Sequence, residues 1–371
     1  MILKGNSLLK KAIVKLSKDY LAMVSLFIVF SAGFISFFAY GLAVDKTKDA
    51  ALQNLVLKYK PIAYETQILK LPLQNYSEQK GFAPFFFGKE IDFEEIAVEE
   101  VQLKNDSLYY KPYIGEELEA EVKKIPISVF TEKGIEKENI LKNFLSLKKF
   151  FLGTDSFGRD FYSRLIIGTR ISFFVGFVAV AISVTIGVIV GALGGYYRGR
   201  IDAIVMWVIN VVWSIPTLLL VMAITLAIGK GYWQIFLAVG LTMWVEVARV
   251  VRGQFLSYRE KEFVEAARAL GYSDLRIIFK EILPNVVAPV IVISAANFAA
   301  AILVESGLSF LGIGAQPPTP SWGNIIKEHY SHIILDQQHL AILPGLCILV
   351  LVLAFNIFGN KLRDALDNKN I

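Results

Sequence analysis

Hydrophobic positions along the chain gather into six blocks separated by polar stretches. Residues 20–44, 171–197 and 203–229 contain no charged side chain. A shorter block, 232–248, reaches a first acid at Glu246, and blocks 286–304 and 340–358 complete the set. Roughly 20 apolar residues in a helix cross about 30 Å of hydrocarbon. The pattern therefore predicts six transmembrane helices. Residues 45–150 differ: they are rich in Lys and Glu and hold no possible span. Pro61, Pro72, Pro84, Pro112 and Pro126 interrupt them, while residues 92–103 and 125–130 alternate or are β-branched and predict short strands. The expected fold is an all-α polytopic membrane protein with a small α/β or mostly extended insertion between helices 1 and 2. Its parts are an N-terminal segment and first helix (1–44), the insertion (45–150) and a helical core (151–371).

One long polar segment stands among the apolar blocks of the second half. Residues 263–284 read helix, break, helix. Phe263, Ala266, Ala267 and Leu270 recur at i, i+3, i+4 and i+7, one apolar face. Gly271 is placed to end that helix at positive φ. Ser273 is a plausible N-cap for the second helix, and Asp274 complements the positive end of its dipole. Leu275, Ile278, Phe279 and Ile282 repeat the spacing, with Pro284 just beyond. Two short amphipathic helices carrying Arg268, Arg276 and Lys280 on a wet side predict a docking element on the cytoplasmic face.

Composition narrows the class. The chain has 371 residues, 55% of them hydrophobic, and a mean hydropathy of +0.52, too apolar for a soluble domain of this size. Lys and Arg outnumber Asp and Glu by 38 to 33. The basic excess collects in 1–19 (Lys4, Lys10, Lys11, Lys15, Lys18), 198–202, 249–285 and 361–371. The positive-inside rule places these segments in the cytoplasm, with both termini, and the insertion outside. It also accounts for the basic balance without nucleic acid. The first block exceeds a signal-peptide core and no cleavage site follows it, so it is expected to be retained. Cys347 is single, and no intrachain disulfide can form.

Several residues are candidates for chemistry or passage. Asn210 and Pro216 put a polar group and a kink in the third block, a combination that can line a pathway. Asn297 lies in the fifth block and Glu305 at its far end, where an ionisable group marks a gate or a contact between subunits. Glu246 is spaced to pair with Arg249 or Arg252 near the membrane surface. Thr154, Asp155 or Asp160 can cap an interfacial helix, Arg159, Arg164 and Arg170 can reach headgroups, and Trp322 suits the interface. Gly187, Gly191 and Gly195 form a small-residue stripe for close helix contact. His329, His332 and His339 lack the clustered carboxylates or thiols of a metal site, and no metal is expected. There is no phosphate-cradling glycine loop and no nucleophile–base arrangement.

Three stretches carry a family resemblance. Glu265-Ala266-Ala267, then Gly271, then Leu283-Pro284 resembles the EAA loop of permease subunits of binding-protein-dependent ABC importers, here within 253–285; Glu281 stands where an aliphatic residue is frequent. The segment from Leu152, LGTDSFGRDFYSRLIIGTRISFFVGF, and the segment 308–326, LSFLGIGAQPPTPSWGNII, resemble signatures of the dipeptide, oligopeptide and nickel branch. The resemblance implies a type I importer permease in a bacterial inner membrane. It implies half a pore completed by a homologous permease, two ATPase subunits that bind ATP and Mg, and an extracytoplasmic substrate-binding protein. No cofactor belongs to this chain. Glu265, Ala266, Ala267, Gly271, Asp274, Leu283 and Pro284 would couple to the ATPase, and Asp155, Arg159, Asp160 and Trp322 would meet the binding protein. Peptides are the first expected cargo, nickel or another small solute the second. Two other classes stay open: a secondary transporter, which requires inverted repeats that are not seen, and a membrane-anchored sensor acting through 45–150.

Overall fold

The structure is a computed structural model that describes residues 12–74, 82–115, 120–133, 135–229, 231–334 and 337–366; Lys4, Lys10 and Lys11 lie outside them. Five helices are long and apolar enough to cross a membrane: α1 (Tyr20–Phe37), α2 (Phe161–Tyr197), α5 (Tyr232–Tyr258), α7 (Asp274–Phe310) and α9 (His339–Leu366). Between α2 and α5 lie α3 (Gly199–Trp213) and α4 (Thr217–Ile228), bent by 88° at their junction. α6 (Glu262–Ala269) precedes α7, and α8 (Trp322–His329) precedes α9.

The expected kink at Pro216 is a full break. Pro216 is the extended N-cap of α4 (φ −54°, ψ 126°), and α3 has already ended at Trp213, since proline disfavours the α region for Ile215 before it. The break returns the chain: α2 and α5 run parallel, with Gly187 against Val247, Gly191 against Val251 and Gly195 against Phe255. The glycines let the two backbones approach closely, which is how helices associate where lipid offers no hydrophobic drive. α7 lies antiparallel to α2, its Phe298 facing Gly176 and stacking on Phe355 of α9 at 4.0 Å. At one end of the bundle Lys361 pairs with Asp19 at 2.7 Å.

At the other end sits a five-stranded antiparallel sheet, order β4-β3-β2-β1-β5. Its strands are β1 (Tyr64–Pro72), β2 (Phe93–Lys104), β3 (Ser107–Pro112), β4 (Lys123–Pro126) and β5 (Leu145–Phe150). Strand alternation sends Ile68 and Leu69 to opposite faces, and both are fully buried. Leu69 joins Leu108, Phe130 and Ile140 under two short helices; Ile68 joins Leu57, Ala97 and Phe150. Pro72, Pro112 and Pro126 each close a strand, where a missing N–H is tolerated. Of the expected strand 125–130, only the start is extended, and Ser128–Thr131 is helical.

The glycine contact is testable. A Cβ at Gly191 meets the Ala248 carbonyl oxygen at 2.5 Å, whereas at Gly253 nothing lies within 4 Å. G191A is expected to destabilise by about 1–3 kcal/mol through overpacking, and G253A to stabilise by about 0.5–1 kcal/mol through helix propensity. Melting of the purified chain in detergent checks the opposite signs.

Candidate functional site

The polar elbow joins α5 to α7. α6 is a two-turn helix with Glu262 and Glu265 in its first turn, facing the positive end of the dipole. It ends where expected: Gly271 has φ +75°, and the Tyr272 N–H reaches the Ala267 carbonyl at 3.1 Å while the Gly271 N–H reaches Arg268 at 2.9 Å. Because no atom crowds Gly271, the backbone conformation alone requires glycine. Ser273 occupies the N-cap with extended backbone and no side-chain cap bond. Asp274 accepts instead from the Tyr196 hydroxyl at 2.6 Å, tying the elbow to the end of α2.

The faces of the elbow are not those the spacing predicts. Val264 and Ala267 point inward with Ile277, Ile278 and Ile282, joining Tyr196 of α2 and Val251 and Phe255 of α5. Ala266 is exposed, and Leu270, Leu275 and Phe279 are 72%, 63% and 58% exposed. The segment holds more apolar residues than one face accommodates, so the surplus forms an outer apolar surface. Arg276 stacks over Tyr272 at 3.7 Å. The second helix does not stop before Pro284. It continues to Phe310 through a π turn, Ile277–Ile282. There the Leu283 N–H reaches back to Ile278 and the Asn285 amide bonds the Glu281 carbonyl at 2.7 Å. A widened turn accommodates a proline that would otherwise clash with the carbonyl one turn earlier.

The residues assigned to passage part company. Asn210 and Pro216 are exposed at the break between α3 and α4. Asn297 is buried and its amide faces the Met243 carbonyl at 3.5 Å. Glu305 is fully buried and accepts from Ser309 at 2.7 Å and Ser172 at 3.2 Å. Both hold helices of this chain together and face no open surface here. Glu246 forms no ion pair among the described residues. Arg249 lies over the Trp213 ring at 3.5 Å and Arg252 bonds Asp202 at 2.7 Å, so the expected pairing along α5 is replaced by contacts to α3.

At the sheet end, Asp155, Arg159, Asp160 and Trp322 are all nearly inaccessible. The side chains expected to meet an outside protein are here turned inward onto partners within this chain. Arg159 bridges Asp155 at 2.6 Å and Glu328 at 2.7 Å, and Arg164 reaches the same Glu328 at 3.1 Å. Asp160 caps α2 through the Ser163 N–H, and burial pushes its carboxyl up to about 6. The Trp322 indole bonds the Leu165 carbonyl at 3.2 Å. Ligand atoms of Asp155, Glu328 and His329 lie within 4.8 Å of one another, a grouping their wide sequence separation conceals. Two guanidinium groups already balance the two carboxylates, so the arrangement is an ion-pair lock. His329 is sealed inside it, neither ring nitrogen bonded, and burial drives its pKa down to about 4.

A bundle of long apolar helices with a polar elbow and a broken span is the architecture of a multi-pass membrane protein. The chain belongs to the family described as binding-protein-dependent transport system inner membrane component, whose profile matches residues 140–370. Glutathione transport system permease proteins GsiD are similar to it. The one from Pectobacterium atrosepticum is 41% identical over 219 residues, 59% of this chain and 72% of the relative. The one from Shigella boydii serotype 4 is 40% identical over 229 residues, 62% of this chain and 75% of the relative. Among solved structures, an inward-facing MetNI methionine ABC transporter matches with TM-score 0.46 and 18% identity, covering 55% of this chain and 96% of that one. The chain is thus a multi-pass ABC importer permease subunit. Most of the sheet insertion precedes the family match.

The sealed histidine gives a pH test. Its folded value of about 4 lies below the ordinary 6.5, so the fold favours the neutral ring. That contribution is complete above about 6.5 and is lost as pH falls toward 4. Relative to H329L, wild type is expected to lose up to about 3 kcal/mol across that window. Melting of both proteins from pH 7 to 4 checks it, and parallel curves contradict it.

Proposed function

We propose that the chain forms half of a translocation pore importing peptides, with a homologous permease as the other half. Two ATPase subunits holding ATP and Mg supply the energy, and an extracytoplasmic binding protein delivers the cargo. The observation that carries this is the elbow. Its inner face is bolted to the ends of α2 and α5, and its outer face presents Leu270, Leu275 and Phe279 to a neighbour. Closure of the ATPase pair pushes this elbow, and the α2–α5 pair tilts with it, switching the pore between inward and outward states.

Peptide cargo is favoured by the glutathione-transport relatives, glutathione being a tripeptide; nickel or another small solute is the alternative with the same architecture. Six crossings follow when the bent α3–α4 pair counts as one, a count that the parallel run of α2 and α5 supports. Arg198, Arg259, Arg268 and Arg276 then mark the cytoplasmic end, with the paired Asp19 and Lys361 of the terminal segments. The sheet of residues 45–150 stands outside the inner membrane as an accessory domain.

Serine at both Leu270 and Phe279 removes the outer apolar face and leaves the inner one. Recovery of the ATPase subunits with the purified permease is expected to fall about tenfold or more, the loss typical of a central interface anchor. Replacing Glu265 and Gly271 is expected to act likewise. Full ATPase recovery with normal ATP-driven uptake in these variants contradicts the docking role.

A further inference from the structure

The break between α3 and α4 leaves a cavity of about 180 Å³ against α5 and α7. Trp213, Met243 and Val304 give it apolar walls, Thr217 and Thr242 two hydroxyls, and Glu246 the single charge in its lining. Glu246 sits near the middle of α5, beside Val247, which packs on Gly187 within the apolar run of α2. A carboxylate at that depth requires a cation or water, and marks a functional site by default. This chain supplies no cation among the described residues. The basic residue one turn away, Arg249, is held over Trp213, and the next, Arg252, is committed to Asp202 with two hydrogen bonds. Both guanidinium groups on this stretch of α5 are thus drawn toward α3, and the carboxylate is left facing the cavity.

We infer that this cavity is a passage site for the ammonium group of the cargo, with Glu246 as its counter-ion and Trp213, Met243 and Val304 enclosing the adjoining apolar part. The inference rests on the peptide import proposed above and names the end of the peptide that this subunit recognises. A carboxylate at membrane depth in a largely apolar wall binds a free amino terminus and rejects an acylated one, because acylation removes the charge and leaves the carboxylate without a counter-ion. It also sets the limit on tightness: a pathway site has to release what it binds.

The test uses the whole transporter, with its partner permease, ATPases and binding protein, in proteoliposomes. Alanyl-alanine and N-acetyl-alanyl-alanine are the probes, with wild type, E246Q and E246D compared. E246Q is expected to lower alanyl-alanine uptake about tenfold or more, the scale of losing one partner of a desolvated charge pair. E246D should restore part of it, and the preference for the free amine should narrow in E246Q, with recovery of the partner permease unchanged. Equal uptake of alanyl-alanine by wild type and E246Q overturns the site while leaving peptide import standing. Loss of partner-permease recovery in E246Q overturns it in favour of a cation supplied by that subunit. Failure of wild type to move either peptide overturns the peptide reading, and the ammonium site with it.

Discussion

The approach of α2 to α5 along Gly187, Gly191 and Gly195 is the contact on which the rest of the helical structure depends. Each glycine places a backbone where a methyl group would meet Val247, Val251 or Phe255 at 3 Å or less. In lipid, such packing and a few hydrogen bonds hold helices together. The contact is parallel, and a chain can make it only by coming back across the bundle between the two helices. The bent α3–α4 pair is that return. Its break at Pro216 opens the cavity that Glu246 lines, so that cavity is a consequence of the packing geometry.

The two ends of the bundle use charge differently. At the sheet end, two arginines and two carboxylates are buried together, and Asp160 and Glu305 are sealed among serines. A buried pair contributes little net stability, but losing one partner costs about 3–5 kcal/mol. Such a network specifies one arrangement of the α2 start, the proline loop and α8. The elbow end keeps its charges at the surface: Arg198 with Glu260, and the exposed Arg276 over the ring face of half-buried Tyr272. One end buries its charges in a closed network, and the other leaves charged and apolar side chains exposed.

Much of this was legible in the chain because membrane helices report themselves through uninterrupted apolar length. The apolar blocks, the glycine stripe, the positive φ at Gly271 and the strand around residues 92–103 all follow from local rules. Misreadings have a common cause. Helical spacing states which residues share a face, but an elbow with apolar residues on both sides does not declare which face turns inward; hence Val264 inside and Leu270 outside. Nor does a charged residue in a motif announce its depth. Asp155, Arg159 and Asp160 look like surface contacts in sequence and are buried because Glu328 and Ser163 complete their bonding from elsewhere in the fold. The grouping of Asp155 with His329 joins positions too distant for any spacing rule.

The central claim is that the elbow and the α2–α5 pair form one body, so a push on the first moves the second. Spin labels at Ala269 on the elbow and Tyr197 at the end of α2, both exposed and outside the Leu270–Leu275–Phe279 face, measure this directly in the assembled transporter. The account predicts one narrow distance distribution that is the same without nucleotide and with ATP trapped in the ATPases, while the rest of the transporter changes state. A shifted or second distance on trapping would show the elbow hinging by itself, and would contradict the account.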